Sequence, residues 1–330
     1  MRESLVDRAA VERLLLLVGV LRSGIVDALA GKDALPAAVV AGAAQTDLRA
    51  TRIVLEAMAA EGFLECLPGS VGDGGATLYR LTPLARAHLV DQGPDFERAG
   101  LLHQANKMRG WLELDQVIRT GRPAPKPQTP NPERMRALVF AMGEREPEVL
   151  DEIVDRCFAY MWTLTTMIDI GGAVGHLARQ FSRRGVKATL MDREETLPIA
   201  REFLGDEAGD IAMEVGDFTQ SLPGGPFDLV YFGNVLHIYP PEINAQVLRQ
   251  AFSITAPGGA VAIQDFVWGS RDAAMFAVNM LRSTDGGGVW TEQQHREWLG
   301  AAGFEGIEVH TLDTTGSQLI LARRGSGPRR

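Results

Sequence analysis

Two stretches of this sequence hold residue types that chemistry on a bound small molecule requires. The first is Asp169-Ile-Gly-Gly-Ala-Val-Gly175, where an apolar run ends in glycines and a helical pattern begins. Gly171, Gly172 and Gly175 let the backbone turn tightly and approach a ligand where a Cβ would collide. Asp192 ends the next apolar run, a position from which a carboxylate accepts both hydroxyls of a ribose. Gly216-Asp217-Phe218 ends the third run and offers an acid and an aromatic ring to a nucleobase; a strand-end turn residue is the lesser alternative for Asp217. The second stretch is Val235-Leu236-His237, closing a fourth apolar run, with Asp265 closing a fifth. Imidazole exchanges protons near neutral pH, so a histidine at a strand end can act as a general base, and an acid on the next strand can orient it. The alternative for His237 is packing beneath the helix that starts at Pro241.

These residues need a scaffold that brings strand ends together. From residue 164 onward, apolar runs at 164–170, 187–192, 211–216, 227–234 and 260–268 alternate with helical patterns at 174–184, 195–204 and 241–255. That alternation predicts a mostly parallel sheet with helices on both faces, whose ligands bind at the carboxyl ends of the strands. Runs at 306–313 and 317–323 predict a closing antiparallel pair. A nicotinamide-binding fold would carry G-x-G-x-x-G, whereas this loop reads G-G-x-x-G. Upstream, residues 5–30, 36–44 and 48–61 read as helices, and Phe63–Cys66 and Leu78–Leu81 as strands around a glycine-rich loop, a winged-helix pattern. Helical patterns at 94–120 and 133–160 flank a proline-dense stretch at 121–132. The expected domains are 1–93, 94–160 and 161–330.

Composition excludes several classes. The 330 residues carry a net charge of -9, and the winged helix's candidate recognition helix has Arg49 and Arg52 against Asp47, Glu56 and Glu61. Phosphate contacts need positive charge, so no nucleic-acid partner is expected. The apolar run Leu14–Val20 is too short to span a bilayer and lacks a cleavage site, so no membrane association is expected and the cytoplasm is the expected location. The cysteines, Cys66 and Cys157, have no metal-ligand neighbours, and no His/carboxylate spacing suggests a metal. His103, Met108 and Trp111, with Met142, Trp162, Met275, Asn279 and Met280, could line an apolar pocket for a flat substrate; core packing is the alternative for each.

At Asp169–Gly175 and His237 the chain resembles the small-molecule O-methyltransferase family that includes plant phenolic and bacterial polyketide methyltransferases. The resemblance extends to Gly24–Ala30, Leu55–Leu64 and Tyr79–Ala85, which are similar to that family's dimerisation winged helix. It implies an α/β fold: a Rossmann-like methyltransferase domain with a mostly parallel seven-stranded sheet, plus an N-terminal all-helical winged-helix dimerisation domain. It implies S-adenosylmethionine as cofactor and S-adenosylhomocysteine as product, held by Asp169, Gly171, Gly172, Gly175, Asp192, Asp217, Phe218 and Asn234. It further implies a homodimer, a small-molecule acceptor, His237 as catalytic base and Asp265 as its orienting acid. The family loop is usually D-x-G-G-G-x-G, and Ala173 replaces its third glycine; Ile238-Tyr239 follows the histidine where plant members have Asp-Trp, and Val289 stands where they have a second glutamate. C- or N-methylation on the same scaffold, or a different use of the cofactor fold, remains open on these residues.

Overall fold

The computed structural model describes residues 7–31, 33–69, 76–90, 97–123, 136, 139–140, 147–161, 163–313 and 315–325. The chain forms two compact units, residues 1–109 and 110–330.

In the first unit, α1 (Arg8–Arg22) starts at Asp7, whose carboxylate accepts from Ala10 N at 3.1 Å. Leu17, Val20 and Leu21 lie at helical spacing and are buried. The helix expected over 5–30 is two: the chain leaves α1 at Ser23, whose hydroxyl donates to the Val20 carbonyl, turns through Gly24 and resumes as α2 (Ile25–Leu29). After β1 (Leu35–Pro36) come α3 (Ala37–Ala44) and α4 (Leu48–Ala60), the latter capped by Asp47 accepting from Ala50 N at 2.8 Å. Strands β2 (Leu64–Leu67) and β3 (Leu78–Leu81) form the expected antiparallel wing. To it the structure adds β1, in the order β1-β3-β2. Two residues are too few to show a strand period, so β1 leaves no trace in the sequence pattern. Helices α5 (Pro83–Leu89) and α6 (Arg98–Trp111) follow.

The second unit opens with α7 (Leu114–Thr120) and α8 (Pro147–Tyr160). Its sheet is built from β4 (Thr166–Ile170), β5 (Lys187–Asp192), β6 (Ile211–Val215), β7 (Phe227–Gly233), β8 (Thr255–Asp265), β9 (Phe304–Thr311) and β10 (Gln318–Arg324). The order is β6-β5-β4-β7-β8-β10-β9, parallel through β8, with β10 antiparallel to both its neighbours. Helices α9 (His176–Arg183), α10 (Leu197–Leu204), α11 (Pro241–Ile254), α12 (Arg271–Ser283) and α13 (Glu292–Ala302) connect the strands. Successive strand residues serve opposite faces: Met167, Leu229 and Tyr231 join one core with Phe181 and Ile153, and Ile168, Val230 and Phe232 the other with Leu248 and Leu299. Burial on both sides is why these strands read as unbroken apolar runs.

The fifth strand differs from the expected 260–268. It begins at Thr255, its pairing with β7 slips between Phe227 and Leu229, and it ends at Asp265. It stops there because the Asp265 carboxylate turns back and accepts from Phe266 N at 2.8 Å; beyond it only Val267 makes an isolated bridge, to Trp290. Among the described residues no helix is long and apolar enough to cross a membrane.

Candidate functional site

The site lies at the carboxyl ends of β4, β5, β6, β7 and β8. Gly171 has φ 67°, and a Cβ there would stand 2.8 Å from Val235 Cγ1 and 3.3 Å from Phe218 Cε1. At Gly172 it would stand 2.4 Å from the carboxyl of buried Asp169. The loop is therefore pressed against the neighbouring strand ends, with no room for a side chain at Gly171 or Gly172. Gly175 N closes the turn on the Gly172 carbonyl at 2.9 Å and leads into α9. Ala173, in place of the third glycine, sits at φ 52°, a left-handed conformation that an alanine adopts at a cost. Its N–H donates to Asp192 Oδ2 at 2.9 Å, while Asp192 Oδ1 accepts from Arg193 N at 2.7 Å.

Asp217 accepts from Thr219 Oγ1 at 2.6 Å and Thr219 N at 2.9 Å. The Thr219 hydroxyl first, then its amide and the Arg193 charge, hold this carboxyl below its ordinary range against partial burial. Phe218 meets Phe232 and Tyr239 edge-on at 6.5 and 5.4 Å. Burial works against the charge of Arg193, but Tyr239, Asp217 and Glu195 around it hold the guanidinium above its ordinary pKa. A cradle without Cβ atoms, a carboxylate fixed at its rim and an acid beside an aromatic ring suit a nucleoside cofactor such as S-adenosylmethionine.

His237 follows β7 in a 3-10 turn, Leu236–Ile238, and is 6% exposed. Its Nδ1 lies 2.7 Å from Asp265 Oδ1, and its backbone N–H donates to Asp265 Oδ2 at 3.1 Å. Asp265, 1% exposed, thus grips the residue by ring and backbone. A carboxylate only accepts, so in the neutral imidazole this pairing selects the tautomer with the proton on Nδ1 and the lone pair on Nε2. The His237 carbonyl accepts from Gly288 N at 2.9 Å. The ring of Phe276 on α12 stands edge-on to the imidazole, centroids 4.7 Å apart, and touches Phe266 in turn.

The structure therefore gathers Asp169, Gly171, Gly172, Gly175, Asp192, Asp217, Phe218, His237 and Asp265 at one sheet edge. Asn234 lies there too, but its side chain turns onto Gln264, Nδ2 to Oε1 at 3.1 Å. His103 and Met108 lie on α6 within the first unit, and Trp111 ends that helix. On α12, Met275 is half exposed, Asn279 Oδ1 accepts from the Arg282 guanidinium, and Met280 is buried. Met142 and Trp162 lie outside the described residues. Phe276 escaped the sequence reading although it stands four residues before Met280 and three before Asn279, the spacing of one helix face. Tyr239, Arg193 and Gln264 left no comparable signal. Of the two cysteines, Cys66 in the first unit is exposed, and burial in the second unit pushes the Cys157 thiol up to about 12.

Comparison with known proteins accords with this geometry. A family model described as a methyltransferase domain matches residues 142–309, and one described as an O-methyltransferase dimerisation domain matches residues 17–91. The chain is 28% identical over 318 residues to the tetracenomycin polyketide synthesis 8-O-methyl transferase TcmO of Streptomyces glaucescens, covering 90% of this chain and 88% of that protein. It is 28% identical over 313 residues to 3-amino-4-hydroxybenzoate 4-O-methyltransferase of Streptomyces cremeus, covering 88% and 81%. Its fold matches the solved structure of an O-methyltransferase family protein from Burkholderia thailandensis with a TM-score of 0.80 at 21% identity, covering 99% of this chain and 100% of that one. The chain belongs to the methyltransferase-domain family and is an S-adenosylmethionine-dependent methyltransferase that also carries the O-methyltransferase dimerisation domain.

Proposed function

We propose that the protein methylates a hydroxyl of an aromatic or polyketide-like small molecule, with His237 as general base and Asp265 as its orienting acid. The observation that carries this reading is the two-point grip of Asp265 on His237, at 2.7 and 3.1 Å. Bound S-adenosylmethionine supplies a methyl group activated by sulfonium. The Gly171–Gly172 backbone, Asp192, Asp217 and Phe218 would hold it. The chain's remaining task is orientation and one proton transfer. His237 Nε2 takes the acceptor's hydroxyl proton, and Asp265 stabilises the imidazolium that results. Phe276, backed by Phe266, gives the imidazole an apolar wall, which suits a flat acceptor.

The test is a panel of hydroxyaromatic acceptors with methyl-labelled cofactor, assayed across pH for wild type and His237→Ala, with S-adenosylhomocysteine binding measured in parallel. Turnover in His237→Ala near the wild-type level, with an unchanged pH profile, would end the base assignment and favour a carbon or already ionised acceptor. The same reading includes a two-fold homodimer through the first unit. The dimerisation-domain match and the exposed Leu15 of α1 and Ile53 of α4 support it, and an obligate interface buries more than about 2,000 Å². Light scattering that finds a monomer at micromolar concentration would contradict it.

A further inference from the structure

The end of β7 is held by a residue that no reading of the sequence singled out. Gln264 sits on β8 beside that end and is 2% exposed. Its Oε1 accepts from Asn234 Nδ2 at 3.1 Å and from Tyr231 Oη at 3.2 Å, and its Nε2 donates to Ser317 Oγ at 3.1 Å. Its backbone carbonyl accepts from Asn234 N at 2.8 Å. Ser317, itself buried, is 2.6 Å from Thr315 Oγ1. The carboxamide therefore joins the end of β7 to the segment that enters β10.

Asn234 is in the left-handed region, at φ 56°. An asparagine pays less for this conformation than most residues, yet it still needs holding. Gln264 holds it at both backbone and side chain. The turn so fixed delivers two things. Val235 lies against the Gly171 loop, where an added Cβ would come within 2.8 Å of it. His237 arrives two residues later with both its ring and its N–H on Asp265.

We propose that Gln264 is a positioning residue: its buried carboxamide clamps Asn234 left-handed, and the clamped turn sets Val235 on the cofactor loop and His237 on Asp265. As far as His237 is concerned this rests on the reading of that residue as the base; the setting of Val235 does not. A buried amide with its bonds made is costly to misplace, so the clamp is stiff.

The test needs no knowledge of the acceptor. The histidine Nδ1–H proton and ring nitrogens of His237 are followed by NMR, assigned by their loss in His237→Ala, and S-adenosylhomocysteine affinity is measured by calorimetry. In Gln264→Met, which keeps length but loses the amide, the Nδ1–H resonance should move upfield and broaden. Affinity should weaken about three- to tenfold, the usual worth of one lost hydrogen bond. Asn234→Ala should do the same, and Asn234→Gly less, because glycine meets the left-handed conformation without strain. The double variant Gln264→Met/Asn234→Ala should be no worse than the worse single one, since both break one clamp. An unchanged His237 resonance and unchanged affinity, with only a lower melting temperature, would overturn the proposal, as would additive losses. Should Gln264→Met not fold, the Asn234 pair decides alone. Retained turnover on the hydroxyaromatic panel in His237→Ala would remove the base assignment and leave the clamp standing.

Discussion

Two acidic centres stand at one edge of the same sheet and are held in opposite ways. Asp217 is fixed by Thr219 two residues on, and Asp192 by the adjacent Arg193 N together with Ala173 N from the glycine loop 19 residues back. Their carboxylates stay at the rim, where a ligand's hydroxyls and amine can reach them. Asp265 is buried and spends its oxygens on His237, 28 residues away, and on Phe266 N. On the function proposed above, the first arrangement binds the cofactor and the second orients a proton acceptor. Substitutions should therefore fail differently at the two centres.

The largest effect belongs to the buried centre. His237→Ala should lower turnover by roughly 10²–10⁴, the usual share of acid–base catalysis, with the loss in kcat and S-adenosylhomocysteine affinity intact. A loss of affinity alongside turnover would erase the division of labour. At the rim, Asp192→Ala removes a charged acceptor worth about 1.5–3 kcal/mol, so calorimetry should show affinity weakened on the order of tenfold or more. Unchanged affinity there would make Asp192 a purely local cap for Ala173. Asp265→Asn should cost less turnover than His237→Ala. The amide can face the imidazole or the His237 N–H as acceptor but not both, so thermal unfolding should show a loss of about 1–3 kcal/mol.

Smaller effects sharpen the contrast. Ala173→Gly relieves a left-handed alanine and should raise stability by about 1 kcal/mol, read in urea unfolding. A loss of stability would mean that the strain is absorbed by the Asp192 contact. The last concerns pH. Asp217's folded pKa lies below its ordinary value, so the stability from its Thr219 bonds is fully present above about pH 4 and is lost as pH falls through the depressed value. Thr219→Val removes the largest cause, so the Asp217 carboxyl midpoint followed by NMR should rise toward the ordinary range. A midpoint that stays put would assign the shift to the backbone amide and Arg193.

The same contrast explains how far the sequence could be read. Strand runs, the glycine loop and the acids at strand ends are local patterns, and their physics acts between near neighbours. Asp47 likewise announces a helix start because its cap bond spans three residues, while Asp7 caps α1 inside a stretch read as helical from residue 5. The pairing of His237 with Asp265 is legible in the sequence only as two polar residues closing neighbouring apolar runs, a plausible pair whose roles the family resemblance names, since no local period links positions so far apart. The Gln264 clamp, which spans 30 residues to Asn234 and 53 to Ser317, had no signal at all. The break at Ser23–Gly24 is hidden because the apolar period continues across it, and nothing in residue type sets Phe276 apart from the apolar residues around it on the same helix.

The placing of β10 bears on how the protein is made. This strand comes later in the sequence than every other described strand, yet it lies inside the sheet, between β8 and β9. During synthesis β9 emerges first and has no place to pair until β10 follows. The outer edge of β8, which carries Gln264 and Asp265, stays open meanwhile. At roughly 5–20 residues per second the stretch from Asp265 to Arg324 takes about 3–12 s to translate. For that interval an apolar strand edge faces the crowded cell, a ready template for mispairing with another chain. The ribosome thus releases the scaffold of the cofactor loop well before the segment that completes the support beneath the imidazole, and a chaperone able to cover a β-edge for a few seconds would matter more to the yield of active protein than to its final stability.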